Sequence, residues 1–471
     1  MNNTFNEIKA SFVELQKVLS NDYKNVSILI EKTYGKNFRY SKTGLTIKEN
    51  MFSNSGCVIR LYSDDEKVPY EYSFNNFDND YILSIPDIIK KNFKPLKNTN
   101  IKTINGSADT VKKLSFNKTT DYKINPTDCE STVIPEKLKE LHDKGMNYSK
   151  KILDTIVIYQ YLITNKLFIS DDKDLEQHIM WSNAVFEPLS KDENSSMIHY
   201  YYNPASCIGG VEILDELDKD IDHALNSAIE LLDSTHITPG TYDVICLNDV
   251  TGLIAHEAFG HGVEMDMFVK DRALAKDFIG KEVASPIVNM HDNATFNQCG
   301  MYFFDDEGNI SKDNIIIENG ILKNGINDLL TCNSLDVEPT GNGRRESYAN
   351  KAYTRMTNTY FEAGTSTLDE MIASIDYGIL LENASGGMED PKNWGIQCMV
   401  NIGREIKNGK LTGKIFSPIC ISGYVPDLLK SISMVSDDLK LFGSGYCGKG
   451  YKEWVKVSDG GPAIKAKAKL S

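Results

Sequence analysis

The chain has 471 residues, of which 41% are hydrophobic and 25% charged, as in soluble globular proteins long enough for several domains. Its formal net charge of −15 argues against nucleic acid and anionic membranes as partners. No apolar run approaches the ~20 residues of a membrane span, and the polar segment MNNTFNEIKA at the start lacks the apolar core of a secretion signal.

The first 208 residues alternate between amphipathic helices and short strand-like runs, which predicts an α/β region. Helices are predicted at residues 4–19, 82–93 and 135–151. Strands are predicted at residues 26–30, 45–48, 57–62, 70–72, 155–163, 166–170, 178–188 and 196–202. The polar, turn-rich stretch 94–109 is interpreted as a linker, so residues 1–105 and 106–208 are expected to form two small modules.

Apolar side chains recur at helical spacing over 211–232, which predicts one long helix there, and residues 209–240 are expected to connect this region to a C-terminal domain through that helix. The domain at 241–471 begins with a strand at 242–247 and is strand-dominated, with short helices at 368–379 and 425–433. The dipeptides Asn319-Gly320 and Asn408-Gly409 predict two tight β-hairpins. The fold class is therefore α+β: an N-terminal α/β region of two small modules, then a mostly β domain that carries a metal-binding helix.

One segment of that domain concentrates groups that bind metals. Residues 249–266 read DVTGLIAHEAFGHGVEMD, with His256, Glu257 and His261 in an H-E-x-x-x-H motif on a predicted helix. Two imidazoles beside a carboxylate are typical of a metal site with its own base. The alternative is a pair of hydrogen-bonded core histidines.

The five-residue spacing of the histidines has a geometric consequence. On a regular α-helix, positions five apart point about 140° away from each other, so both imidazoles can face one ion only if the helix bulges or ends between them. Gly260 and Gly262 flank His261 and permit either a π-type bulge or a helix C-terminus.

A metal with two histidine ligands needs at least a third donor. The neighbouring candidates are Glu264 and Asp266, and the distant ones are His291, Cys398 and Cys447. Cys447 stands in the glycine-rich stretch FGSGYCGKG, where the backbone can approach a site closely and Lys449 could lower the pKa of the thiol. The residues alone leave this choice open.

A second glycine-rich stretch, TGNGRRES at 340–347, lacks the spacing of a phosphate-binding loop. Its Arg344 and Arg345 could hold a peptide carboxylate or pair structurally with Glu346, and the sequence does not separate these roles.

Several motifs occur in a fixed order: HEAFGHGVE, DDEGN, IENGILK, TGNGRRESYA, RMTNTY, ISMVSDDLK and CGKG. Together they resemble the TldD side of the TldD/PmbA (TldE) family of metallopeptidases. The resemblance implies one zinc ion per active subunit, held by His256, His261 and Cys447, and a dimer formed with itself or with a PmbA/TldE-like chain.

The predicted function is a zinc-dependent peptidase that cleaves unfolded or flexible, possibly modified, peptides. Glu257 would act as the base toward a water on the metal. The alternatives are a metal-dependent amidohydrolase acting on a small molecule and a non-catalytic partner-binding subunit. Nine cysteines without a C-x-x-C pair indicate a reducing compartment, so the expected location is the cytoplasm.

Overall fold

The computed structural model describes residues 5–62, 69–93, 113–193, 197–449 and 452–471. The predicted linker at 94–109 lies outside these residues. Among the described residues, no helix is long and apolar enough to cross a membrane.

The described residues of the N-terminal part form five α-helices and nine strands. The helices are α1 (Asn6–Ser20), α2 (Asn79–Asn92), α3 (Val133–Met146), α4 (Ile213–Lys219) and α5 (Ile221–Glu230). The strands are β1 (Lys24–Ser41), β2 (Gly44–Glu49), β3 (Asn54–Tyr62), β4 (Pro69–Phe74), β5 (Leu114–Thr119), β6 (Ile152–Ile169), β7 (Lys173–Lys191), β8 (Ile198–Tyr200) and β9 (Asn203–Ile208).

These nine strands form one sheet in the order β4-β3-β1-β6-β7-β5, with β2 on β1 and with β8 and β9 on β7. Because side chains alternate across a strand, β1 presents Ile28, Ile30 and Phe38 to one face, which the five helices cover. The opposite face packs on the C-terminal half through Leu29 and Phe304. Residues 1–105 and 106–208 therefore contribute strands to a single sheet, and the division at 105, 208 and 240 stays a prediction.

The long central strands are longer than the predicted strands, because polar residues inside them were interpreted as strand ends. Strand β6 spans the two strands predicted at 155–163 and 166–170, and its buried Asn165 donates to the carbonyl of Lys32 at 3.1 Å. The next residue, Lys166, pairs with buried Glu31 at 3.1 Å and with Asp306. Buried polar groups with such partners are tolerated within a sheet.

The single long helix predicted at 211–232 is wrong. Helices α4 and α5 are separate, because Asp220 between them has φ −107° and ψ 7°, outside the α-helical region. A 3₁₀ turn at Leu231–Asp233 follows. The apolar spacing continues across the break, so periodicity alone could not locate it.

The C-terminal part contains the remaining elements. Its helices are α6 (Asn248–Leu253), α7 (Asp266–Val269), α8 (Leu329–Leu335), α9 (Leu368–Ala373) and α10 (Val425–Lys430), and a 3₁₀ turn covers Leu274–Phe278. Its strands are β10 (Gly240–Cys246), β11 (Met290–Asn293), β12 (Asp313–Glu318), β13 (Ile321–Leu322), β14 (Gly343–Arg344), β15 (Tyr353–Thr354), β16 (Asn358–Phe361), β17 (Tyr377–Asp390), β18 (Gly395–Lys407), β19 (Lys410–Phe416), β20 (Ile419–Tyr424), β21 (Met434–Val435), β22 (Lys440–Phe442), β23 (Tyr446–Lys449), β24 (Lys452–Lys456), β25 (Ser458–Gly461) and β26 (Ile464–Leu470).

Two sheets enclose the core of this domain. The first runs β10-β17-β18-β20-β26-β21 and closes on itself through β10 and β26, and the second runs β13-β12-β11-β16-β25-β22. Both Asn-Gly hairpins are confirmed, with Asn319 and Gly320 at φ 50° and 78° and Asn408 and Gly409 at φ 51° and 71°. Helix α6 lies between the sheets, directly after β10.

Candidate metal centre

The helix that carries the H-E-x-x-x-H motif widens as it reaches the histidines. After α6 the chain continues as a π-helical segment at Ile254–Gly260 and a 3₁₀ turn at His261–Val263. The backbone N–H of His261 donates to the carbonyl of His256, which is the five-residue hydrogen bond of a π-helix. Of the two geometries that the sequence allowed, the protein adopts the bulge.

Gly260 and Gly262 allow this helix to pack closely. A Cβ on Gly260 would overlap the Met356 sulfur, and a Cβ on Gly262 would lie 2.5 Å from Oε1 of Glu389. Neither glycine has a positive φ, so the requirement is space for the neighbouring side chains and not backbone freedom.

The structure brings His256, His261 and Cys447 together. One potential ligand atom from each lies within 4.8 Å of the others, and Cys447 Sγ is 3.4 Å from Nε2 of His261. The two imidazole rings meet edge to face, with centroids 5.2 Å apart and planes at 83°. Cys447 comes from β23 of a two-stranded hairpin with β24, 186 residues beyond His261.

This donor set fits a zinc ion. Tetrahedral zinc with bonds of ~2.0–2.3 Å separates a nitrogen and a sulfur ligand by about 3.5 Å, close to the distance between His261 and Cys447. His256 and Cys447 are each only 5% exposed, and the Nδ1 atom of His256 is buried without a hydrogen-bond partner in the described structure. Two imidazoles and one thiol leave a fourth position free for a reacting group.

The three side chains are electrostatically coupled. Burial raises the pKa of the Cys447 thiol, but His261 and His256 outweigh burial and hold that pKa well below its ordinary value. Burial lowers the pKa of His256, and Cys447 more than offsets it, which raises that pKa to about 9. A thiolate is the form of cysteine that ligates metals.

Glu257 points toward the same centre from the solvent side. Its Oε2 lies 4.0 Å from Nε2 of His261, and its side chain is 21% exposed. Gly387 of β17 allows this placement, since a Cβ there would lie only 2.9 Å from Cγ of Glu257. The carboxylate therefore borders the donor atoms while remaining accessible to a substrate.

Glu264, a candidate third ligand in the sequence, instead supports His261. Its Oε2 accepts a hydrogen bond from Nδ1 of His261 at 3.2 Å, which leaves Nε2 directed at Cys447. Burial raises the pKa of Glu264, but the charges of Lys449 and His261 outweigh burial and hold it well below its ordinary value. A carboxylate that orients a ligating histidine in this way also makes its other nitrogen a better donor.

Two cations complete this support. Lys449 lies 3.2 Å from Glu264 and 2.6 Å from Asp266, so Asp266, the other neighbouring candidate ligand, is engaged away from the donors. The fully buried Arg355 approaches Glu264 at 3.6 Å and donates from Nη2 to the carbonyl of Cys447 at 2.6 Å. One ion network therefore orients His261 and fixes the backbone of Cys447. Lys449 is paired within that network, and the leading charges at the Cys447 thiol are those of the two histidines.

The distant candidates have other partners. Both ring nitrogens of His291 are paired, Nδ1 with Asp313 at 2.8 Å and Nε2 with Glu362 at 2.9 Å. Cys398 is buried near Glu257 but outside the group of three donors, and burial raises the pKa of its thiol. Neither residue supplies a donor to the centre.

Arg344 and Arg345 have partners other than Glu346, and a role of these arginines in binding a peptide carboxylate stays a prediction. Arg345 donates from Nη2 to Glu71 of β4 at 2.5 Å, while Glu346 accepts from the backbone N–H of Trp454 at 2.9 Å. Arg344 donates to the carbonyls of Met356 and Lys456. Neither arginine pairs with Glu346.

Sequence reasoning missed two groups at the centre. Arg355 begins the motif RMTNTY, but no local pattern relates it to Cys447, 92 residues away. Glu389 of β17 lies beside Gly262, with both carboxylate oxygens buried and unpartnered in the described structure. Burial raises the pKa of this acid well above its ordinary value.

Comparison with known proteins agrees with the geometry. Residues 239–468 match the model of the PmbA/TldA metallopeptidase C-terminal domain. The chain is 39% identical over 259 residues to a Buchnera aphidicola protein named metalloprotease TldD homolog, a match that covers 53% of each chain. The alignment thus spans about half the length of that relative.

Longer alignments join the chain to archaeal proteins. A Methanocaldococcus jannaschii metalloprotease is 32% identical over 352 residues, covering 74% of this chain and 76% of that one. A Saccharolobus solfataricus protein named zinc metalloprotease TldD homolog is 29% identical, covering 78% and 80%.

The fold recurs in solved structures. That of TldE from Thermococcus kodakarensis superposes with a TM-score of 0.72 at 16% identity, covering 98% of this chain and 100% of that one. Fold, motif order and sequence identity lead to one assignment: the chain belongs to the TldD/PmbA family of metallopeptidases.

Proposed function

We propose that this protein is a zinc-dependent peptidase in which His256, His261 and Cys447 hold the metal and Glu257 is the general base. The observation that carries the proposal is the convergence of three donor atoms within 4.8 Å beside an accessible carboxylate. The names of the relatives, which include a zinc metalloprotease, support the choice of metal.

When bound, zinc supplies a Lewis acid that lowers the pKa of water and polarises a carbonyl group. The chain's own residues transfer the proton and position the ligands. Glu257 takes a proton from the attacking water and passes it to the leaving amine. Glu264 holds the proton of His261 at Nδ1, so Nε2 stays available as a donor, and Arg355 keeps Cys447 in place.

We place the substrate in an extended conformation along β17. Residues 385–390 pair with β18 on one side only, and no strand of the described structure pairs with their other edge. Gly387 in this stretch contacts Glu257. A strand edge binds main-chain groups with little demand on sequence, which favours unfolded or flexible, possibly modified, peptides as substrates.

The proposed location is the cytoplasm, where the nine free cysteines would remain reduced. The proposed assembly is a dimer, either with itself or with a TldE-like subunit, as the shared fold with a TldE protein suggests. Light scattering of the purified chain, alone and mixed with such a subunit, tests the assembly. A stable monomer with full activity would contradict it.

The activity is tested by measuring zinc content and cleavage of an unstructured peptide on one preparation. We expect about one zinc per chain, loss of cleavage on chelation and recovery when zinc is restored. Cys447→Ser and His261→Ala should lose zinc and cleavage together, whereas His291→Ala should keep both. Hydrolysis of small amides without peptide cleavage would favour the amidohydrolase alternative instead.

A further inference from the structure

A buried ammonium group lies behind the hairpin that carries Cys447. Lys456 of β24 is 8% exposed, and its Nζ lies 4.2 Å from the ring centroid of Trp181 and 4.5 Å from that of Tyr446. Its hydrogen-bond acceptor is Oδ1 of Asn183, at 3.4 Å. Among the described residues, no carboxylate lies within ion-pair distance of this ammonium.

A second buried cation adjoins it. The guanidinium of Arg344 donates to the carbonyls of Met356 and Lys456, each at 2.6 Å, and lies 5.3 Å from the ring centroid of Tyr302. It also has no carboxylate partner in the part of the chain that the structure describes. Burial lowers the pKa of Arg344, outweighing its attraction to Tyr302 and Asp306, and burial lowers the pKa of Lys456 to about 8.

Both cations line a cavity of about 100 Å³ between the N-terminal sheet and the C-terminal domain. The acids of its wall are already engaged. Glu31 and Asp306 pair with Lys166, Asp305 accepts three backbone N–H groups, and Glu346 accepts the N–H of Trp454. The cavity therefore contains two buried cations that form no ion pair of their own among the described residues, in a space that fits a small anion and some water.

We propose that this cavity binds an oxyanion, a carboxylate or a phosphate, between Lys456 and Arg344. Such a group accepts hydrogen bonds from both cations and gives each of them a direct ion-pair partner. The site is separate from the metal centre, because Lys456 lies opposite Tyr446 in the hairpin while Cys447 occupies the next position, where side chains point to the other face.

The anion would act on the metal ligand through the hairpin. A bound anion would hold one face of this hairpin, formed by Tyr446 and Lys456, against Trp181 and Asn183 of β7. It would thereby fix the strand that presents Cys447 on the opposite face of the hairpin. The inference goes beyond the proposed peptidase activity, and its thermal test does not depend on that activity.

Thermal unfolding tests the proposal. At constant ionic strength, replacing chloride by phosphate or acetate should raise the unfolding temperature of the protein by about 2 °C or more. The response should disappear in Lys456→Met, which keeps the length of the side chain, and persist in Lys456→Arg. Lys467→Met removes an exposed lysine of β26 and is the matched control, with an unchanged response.

Two results would overturn the proposal. One is an unfolding temperature of the unmodified protein that does not respond to either anion. The other is an equal response in Lys456→Met, which would place the anion elsewhere, for example on the zinc.

The source of the oxyanion is decided by peptide binding to the Glu257→Gln variant. If a peptide carboxyl terminus occupies the cavity, a free-acid peptide should bind about 10-fold more tightly than its amide, and Lys456→Met should remove the difference. If a free small anion occupies it, both peptides should bind equally while the thermal response to phosphate remains.

Discussion

The backbone N–H of His261 donates to the carbonyl of His256, five residues earlier. This single hydrogen bond of a π-helix brings to one side of the helix two histidines that would point apart on a regular α-helix. The wide turn depends on small residues at its end. Gly260 lies against Met356, and Gly262 lies against Glu389.

Gly260→Ala tests this dependence. The added methyl group overlaps the Met356 sulfur and also approaches the carbonyl of Ala255 at 3.1 Å, so we expect a loss of about 1–3 kcal/mol in the free energy of unfolding and weaker zinc binding. Gly395→Ala is the control, because the nearest atom to its new Cβ would be 3.8 Å away. Equal zinc affinity and stability in the two variants would contradict the packing argument.

The variant Glu257→Gln tests whether Glu257 is the general base or a ligand of the metal. The amide cannot accept the proton of the attacking water, so we expect kcat to fall by about 10²–10⁴-fold while the zinc content and the fold stay unchanged. Zinc analysis and peptide cleavage on the same sample measure both effects. An emptied metal site would make Glu257 a ligand or its support, and near-normal cleavage would exclude it as the base.

Glu264→Gln tests the support of His261. The amide oxygen can still accept the Nδ1 hydrogen bond, but the negative charge that faces Lys449, Arg355 and His261 is lost. Loss of a carboxylate that hydrogen-bonds to a ligating histidine typically lowers metal affinity by about 10–100-fold. We therefore expect the zinc dissociation constant, measured in competition with a chelator, to rise by that factor. Glu318→Gln, on an exposed hairpin, should leave the constant unchanged.

Acid stability depends on Glu71 of β4, which pairs with Arg345 and with Arg60 of β3. Burial raises the pKa of Glu71, but Arg345 and Arg60 outweigh burial and lower it to about 2. A carboxyl with a depressed pKa stabilises the fold fully above its unfolded pKa of about 4.5 and loses that contribution as the pH falls toward 2, here on the order of 3 kcal/mol.

Chemical denaturation at several pH values, with and without Glu71→Gln, measures this contribution. The variant should be less stable than the unmodified protein at pH 7, and the difference should close between about pH 4.5 and 2. A difference that is independent of pH would mean that the ionised carboxylate is not the stabilising form.

Local sequence predicted the features that local chemistry determines. The flanking glycines of His261 indicated an interrupted helix, and each Asn-Gly dipeptide forms the tight hairpin that its positive φ angles favour. The contribution of Cys447 could not be derived from spacing, because a separation of 186 residues constrains no distance, and only the family resemblance selected it. Its convergence with both histidines agrees with that selection, while its role as a ligand stays a proposal.

The errors have a common physical origin in contacts between residues far apart in the chain. Polar Asn165 fell between two predicted strands, yet its partner, the carbonyl of Lys32, comes from β1, more than a hundred residues earlier in the chain. Glu264 and Asp266 looked like ligands because they are close in sequence, and the charges of Arg355 and Lys449 direct them elsewhere.

The wide separation of the donors also orders events during synthesis. Ribosomes add about 5–20 residues per second, so the two histidines leave the ribosome roughly 10–40 s before Cys447. Until the hairpin of β23 and β24 emerges, the nascent chain offers only a two-nitrogen site, which binds metals more weakly and less selectively than one that includes a thiolate. In the proposed centre the soft sulfur ligand is therefore the last to arrive, so we expect selective metal binding only after nearly all of the domain has been made.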